Sequence, residues 1–190
     1  MTEPLDRFLT ALDLVDTGAR TREDIFTGPS EWMPGGRVFG GQVLAQSVVA
    51  AQRTISDERV VHSLHGYFLR AGDATKPITF SVDRIHDGRS FATRRTQAYQ
   101  NGVPIFSMIA SFQAPDDGLE HRAAAPEGVP GPEELPSAAD VLGRVEHPVA
   151  EFWATQRVFD LRHVGHPIYF TPDRSPSPAQ AVWMLSLIHI

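Results

Sequence analysis

The chain has 190 residues, with 17 basic against 23 acidic side chains and a net charge of −6, and 42% of its residues are hydrophobic. That composition is globular, and the length allows one domain plus a remainder or two small domains, with a core that needs no cross-links. The absence of cysteine excludes a disulfide framework, Cys-ligated zinc, an iron–sulfur cluster and a cysteine nucleophile, and the acidic balance speaks against duplex nucleic acid as a partner.

The first residues, Met1 to Asp6, carry neither a basic region nor an apolar run, so they do not read as a secretory signal. The longest uncharged stretch, Val38 to Gln52, is shorter than the roughly 20 residues that span a bilayer. No membrane partner is expected, and a cytoplasmic location is the simplest expectation. Leu5, Phe8, Leu9 and Leu12 have the spacing of a short amphipathic helix over 5–14. Residues 27–36, with three glycines and two prolines, predict a loop. From Gly40-Gly41-Gln42 an uncharged run continues to Ala51 with small or apolar residues on every side, which predicts a buried helix. Its small residues Ala45, Ser47, Ala50 and Ala51 would let a sheet approach closely.

Four strand-like segments follow: Val60 to Arg70, Pro77 to His86, Ser90 to Gln100 and Val103 to Gln113. Asp87-Gly88 and Asn101-Gly102 are dipeptides of two-residue type I′ hairpins, so the last three segments are expected to form an antiparallel meander. Ile78, Phe80 and Val82 make one apolar face; Phe106, Met108, Ala110 and Phe112 make another, alternating with Ile105, Ser107, Ile109 and Ser111. Arg94 and Arg95 point to opposite faces. A long buried helix followed by such a meander is an α+β pattern. Residues 114–136 are rich in proline, glycine and acids and predict a linker. Ser137 reads as a helix cap and Pro148 as a helix start. Val158 to Val164 and Ile168 to Phe170 read as further strands.

Three constellations carry candidate chemistry. Gly40, Gly41 and Gln42 open the buried helix, where unpaired backbone N–H groups could polarise a carbonyl or hold an anion; the same glycines also fit a loop-to-helix turn with no ligand. On a strand, His62, Leu64 and Phe68 would share one face, and His65, Tyr67 and Leu69 the other. His62 is the titratable candidate for catalysis, although a histidine in an apolar strand is more often a hydrogen-bonded core residue. Histidines three apart, His62 with His65 and His163 with His166, are poor co-ligands, so no metal is expected. Gly88-Arg89-Ser90-Phe91-Ala92 lacks the last glycine and the strand–helix context of a nucleophile elbow. Arg70, Lys76, Arg94 and Arg95 could face an anionic ligand, but surface solvation is the simpler account of each.

Val38 to Val43, Val61 to Asp73, Asp87 to Phe91, Gln100 to Gly102 and Ser111 to Pro115, in this order, resemble the type II acyl-CoA thioesterase (TesB-like) family. The resemblance covers roughly residues 5–183. It implies a double hot dog, two units each with a long helix wrapped by an antiparallel sheet. It also implies hydrolysis of fatty acyl-CoA to CoA and fatty acid, without cofactor, by a homo-oligomer when complete. On this basis residues 1–30 are an N-terminal helix and lead-in, and 31–115 the N-terminal hot dog. Residues 116–150 are a linker with a helix, and 151–184 the start of a second hot dog. In the family an Asp, a Ser or Thr and a Gln orient water, and backbone N–H groups near a hot-dog helix start hold the oxyanion. None of those three side chains maps onto this sequence, because they lie beyond its end. Gly40, Gly41 and Gln42 are then the expected substrate-binding residues. Tyr169 to Pro172 and Gln180 to Trp183 match only the opening strands of the second unit. Residues 185–190 resemble adapter read-through, so a non-native tail, a truncated gene and little activity are expected. The competing expectation is a non-catalytic hot-dog module that binds acyl-CoA or a partner subunit; a hot-dog hydratase would need a His–Asp pair near the helix start, and none is there.

Overall fold

Alternation in the strand segments becomes burial in the computed structural model, which describes residues 3–20, 23–56, 58–156, 158–165 and 179–186. Two units form, Arg7–Leu119 and, separately, Met1–Asp6 with Glu120–Ile190.

In the first unit the strands are β1 (Val15–Arg20), β2 (Glu23–Gly28), β3 (Val60–Phe68), β4 (Ile78–Asp87), β5 (Phe91–Gln100) and β6 (Val103–Gln113). They make one antiparallel sheet in the order β1-β2-β4-β5-β6-β3. Helix α1 (Glu3–Leu12) precedes them, and α2 (Gly40–Gln52) lies on the inner face. Ile78, Phe80, Val82, Ala98, Phe106 and Phe112 are fully buried there together with Ala50 and Ala51 of the helix. The meander β4-β5-β6 is as expected. The β1-β2 hairpin was not foreseen, because Phe26 is the lone buried apolar side chain among the described residues of its two strands and no alternation marks it.

The helix differs from the expectation of an all-apolar one. Gln42, Val43, Gln46, Ser47, Ala50 and Ala51 form its buried face, and two of these are glutamines. They are tolerated because their amides are used: Gln46 Nε2 donates to the Ala11 and Pro29 carbonyls at 2.6 and 2.9 Å. Gln42 Nε2 donates to Pro29 at 3.0 Å, and Gln42 Oε1 accepts from Glu31 N–H at 3.1 Å. The helix thereby fastens both α1 and the loop that leads into it.

The two hairpin turns part company. Asn101 and Gly102 have φ of 51° and 76°, and Gln100 pairs with Val103, as a two-residue type I′ turn requires. Gly88 is not among the residues with positive φ, and its N–H donates to Phe91 O at 2.8 Å across a longer loop. The Asp87 carboxylate is drawn away to Arg94 at 2.6 Å.

Three single-residue bulges re-aim side chains. One falls at His62, between the pairs Val61↔Phe112 and Ser63↔Ser111; a second falls at Ile85, and a third at Ile105, between Ala98↔Phe106 and Tyr99↔Pro104. Each extra residue shifts the phase of alternation on its strand. Ile105 therefore joins the buried side chains and does not alternate outward with Ile109, which is exposed.

In the second unit, Ser137 caps α3 (Ala138–Leu142), its hydroxyl accepting from Asp140 N–H at 3.0 Å. Pro148 begins α4 (Pro148–Thr155). The strands β7 (Phe159–Val164) and β8 (Ala181–Ser186) pair antiparallel. Leu185 and Ser186, at the start of the expected non-native tail, pair with Asp160 and Phe159. The strand expected at Ile168 to Phe170, the match at Tyr169 to Pro172, His166 and residues 187–190 lie outside the described residues.

Candidate functional site

The loop 29–39 delivers the chain to α2, with Phe39 as N-cap. The N–H groups of Gln42 and Val43 both turn back to the Phe39 carbonyl, at 3.0 and 3.3 Å. Those of Gly40 and Gly41 stand ahead of the first helical hydrogen bond, at the positive end of the helix dipole.

A cavity of about 380 Å³ opens beside this helix start. Gly40 and Val43 line it from the helix, Phe68 from the end of β3, and Ile105 from the β6 bulge. Arg37 and Arg70 complete the polar part of the lining. The segment after β3 is held by the bulge: the N–H groups of Leu69 and Arg70 both donate to the Ile105 carbonyl, at 2.8 and 3.2 Å. Val38 N–H donates to Gly72 O at 3.0 Å, and Arg37 bridges Asp73 through its backbone, so the two cavity walls are tied to each other.

The far end of that wall rests on Gln100, whose Oε1 accepts from Asp73 N–H at 2.7 Å while its Nε2 donates to the Asp73 and Lys76 carbonyls. The Asp73 carboxyl is held down at a pKa of about 2, first by the Thr75 hydroxyl, then by Thr75 N–H and by Lys76. Asp73 is thus an ionised, engaged carboxylate and not a proton acceptor awaiting a substrate.

Of the four residues expected from sequence, one reaches the cavity. Gly40 lines it, with the Phe68 ring lying across the space that a Cβ would fill at 3.1 Å. Gly41 is exposed beside the Phe39 ring and does not line it. Gln42 is buried with its amide committed to Pro29, Glu31 and Gln46. His62 lies on the opposite face from Leu64 and Phe68, because the bulge turns it outward. Its Nε2 is 2.8 Å from Ser111 Oγ and its ring is 5.7 Å from Phe91. It is exposed, not a core histidine, and does not reach the cavity. Arg94 also differs from expectation: it is 1% exposed and not solvated. Arg95 is an exposed partner of Asp83 at 3.0 Å, as surface solvation predicts.

Phe68 and Ile105 were visible in sequence only as strand residues, Arg70 only as one of four cations that could face an anion, and Arg37 not as a site residue at all. Their convergence depends on the bulge at Ile105 and on the Val38–Gly72 hydrogen bond, which no local pattern announces. Among the described residues no cluster of three or more His, Asp or Glu could hold a metal ion, and no helix is long and apolar enough to cross a membrane.

A long helix wrapped by an antiparallel sheet, with a cavity at the helix start, defines a hot-dog protein. Residues 28–113 match the family described as the acyl-CoA thioesterase N-terminal domain. Human acyl-coenzyme A thioesterase 8 is 46% identical over 114 residues, 60% of this chain and 35% of that protein. Acyl-CoA thioesterase 2 of Haemophilus influenzae is 37% identical over 142 residues, 73% of this chain and 49% of that protein. The solved structure of the acyl-CoA thioesterase II TesB2 of Mycobacterium marinum aligns with a TM-score of 0.69 at 37% identity, covering 94% of this chain and 60% of that one. Over residues 28–113 the chain is similar to the TesB-like acyl-CoA thioesterases and shares their hot-dog fold. It spans about a third to a half of the length of these curated relatives.

Proposed function

We propose that the whole protein hydrolyses medium- to long-chain fatty acyl-CoA to CoA and free fatty acid in the cytoplasm, as an oligomer and without a cofactor. This chain supplies the N-terminal hot dog. The observation that carries the reading is the cavity at the start of α2, where Gly40 at the helix start meets an apolar wall, inside a segment matched by the thioesterase domain family. Donors at a helix start stabilise the oxyanion of a thioester under attack, and one such donor is typically worth about 3–4 kcal/mol. The side chains that orient water in the family map onto no residue of this chain, so the 190 residues alone have little activity.

Thiol release from a panel of acyl-CoA esters tests this. A gene product spanning the relatives' full length is expected to turn them over, with the 190-residue chain slower by at least about a hundredfold, the usual weight of a missing general base. Full-rate turnover by the 190-residue chain would refute the assignment of the missing residues. Saturable binding with no turnover by the full-length product would make the protein a binding module instead.

A further inference from the structure

The cavity carries a charge distribution that the hydrolytic reading does not use. The chain as a whole bears a net charge of −6, yet the cavity lining holds two arginines and no Asp or Glu. We propose that Arg37 and Arg70 form an anion-binding rim that takes the phosphates of the CoA moiety, with the thioester arm laid inward along Phe68, Val43 and Ile105. The inference rests on the thioesterase reading and names which end of the ligand enters where.

Both guanidinium groups are available for this. Arg70 Nη1 donates to the Pro104 carbonyl at 3.0 Å, which fixes the side chain at the rim and leaves its other N–H donors open. The Arg70 backbone is itself anchored by the bulge at Ile105, through its N–H. Arg37 bridges Asp73 through the backbone, and its side chain meets no acceptor among the described residues. The nearby Asp73 carboxylate does not neutralise it, being occupied by the Thr75 N–H and hydroxyl and by Lys76 Nζ at 3.2 Å. An open guanidinium fork matches two phosphate oxygens at once, which an ammonium does not. Arg37 and Arg70 are exposed, whereas Val43 and Ile105 in the same lining are buried. Charge at the rim and hydrocarbon within fit an amphiphile with a phosphate-bearing head, and no uncharged lipid would use the arginines.

Calorimetric binding to the 190-residue chain tests the rim with two thioethers that cannot be hydrolysed, S-dodecyl-CoA and S-dodecyl-pantetheine, which lacks the phosphates. The unmodified chain is expected to prefer the CoA compound, and the preference to shrink as salt rises. Arg37→Gln and Arg70→Gln are each expected to weaken S-dodecyl-CoA binding by about tenfold while leaving S-dodecyl-pantetheine unchanged, with Arg70→Lys losing less. The unchanged second ligand shows that the variants still fold. No preference between the ligands, equal losses on both, an unaffected CoA compound in the double variant, or no saturable binding of either would overturn the proposal. Thiol release by the full-length product is a separate readout. Arginine-dependent binding with no turnover sinks the thioesterase reading and leaves the rim standing; turnover with a KM indifferent to both arginines does the reverse.

Discussion

Arg94 shows what a single side chain does for this fold. It lies on the inner face of β5, and its guanidinium donates to Thr54 Oγ1 and O, to the His86 and Thr93 carbonyls and to the Asp87 carboxylate. One side chain thus ties the turn after α2 to the β4-β5 hairpin. Arg94→Leu leaves these acceptors without a donor and is expected to cost about 3–5 kcal/mol, read from urea denaturation. Asp87 keeps half of its side chain in water, so Asp87→Asn is expected to cost only about 1 kcal/mol. Asp73 gives a pH prediction at the same scale. Its carboxyl is lowered from 3.8 to about 2, so its contribution is whole above about pH 4 and is lost as pH falls through 2. A carboxyl titration followed by NMR should show a midpoint near 2 for Asp73, and Asp73→Asn should flatten the stability slope over that acid window. A midpoint near 4 would mean that the Thr75 and Lys76 contacts do not form in solution.

Helix α2 illustrates the scale of the element. Gln46 reaches across to α1 and to the entry loop, so Gln46→Leu keeps the volume but leaves the Ala11 carbonyl without its side-chain donor, while Pro29 keeps the Gln42 amide. A loss of about 2 kcal/mol is expected in thermal unfolding, together with loosening of the loop that carries Arg37. An unchanged melting temperature would contradict the fastening role. Strand existence and the apolar faces of β4 and β6 were legible from alternation, because each of these strands has a core on one side and solvent on the other. The helix was legible as buried, but not the use of its glutamines, since an amide's value depends on carbonyls far away in sequence. The bulges were illegible for a similar reason: an extra residue is defined against the partner strand, not by its own neighbours. His62 and Ile105 were therefore each assigned to the wrong face. Arg94 was misjudged because its acceptors lie on two other elements.

At the scale of the molecule, two units are joined through a stretch without regular structure, Ala114 to Gly131, most of it exposed. Limited proteolysis is expected to cut first there and to release an N-terminal fragment ending near residue 119 that keeps a cooperative melt. First cuts inside β4 to β6 would count against the division. The start of this stretch was readable from proline and glycine content; its expected end at Pro136 lies beyond the short helical turn Pro132–Glu134.

The sheet itself ends, among the described residues, at β3, which is paired with β6 on one side only. A strand bonded on one side keeps two kinds of amide: those turned toward its neighbour are slow to trade hydrogen for deuterium, and those turned away trade at nearly the rate of an open chain. Slow and fast should therefore alternate along β3, residue by residue. The extra residue at His62 advances that rhythm by one step, so an exchange experiment should find the alternation changing phase there and record the bulge without any image of it.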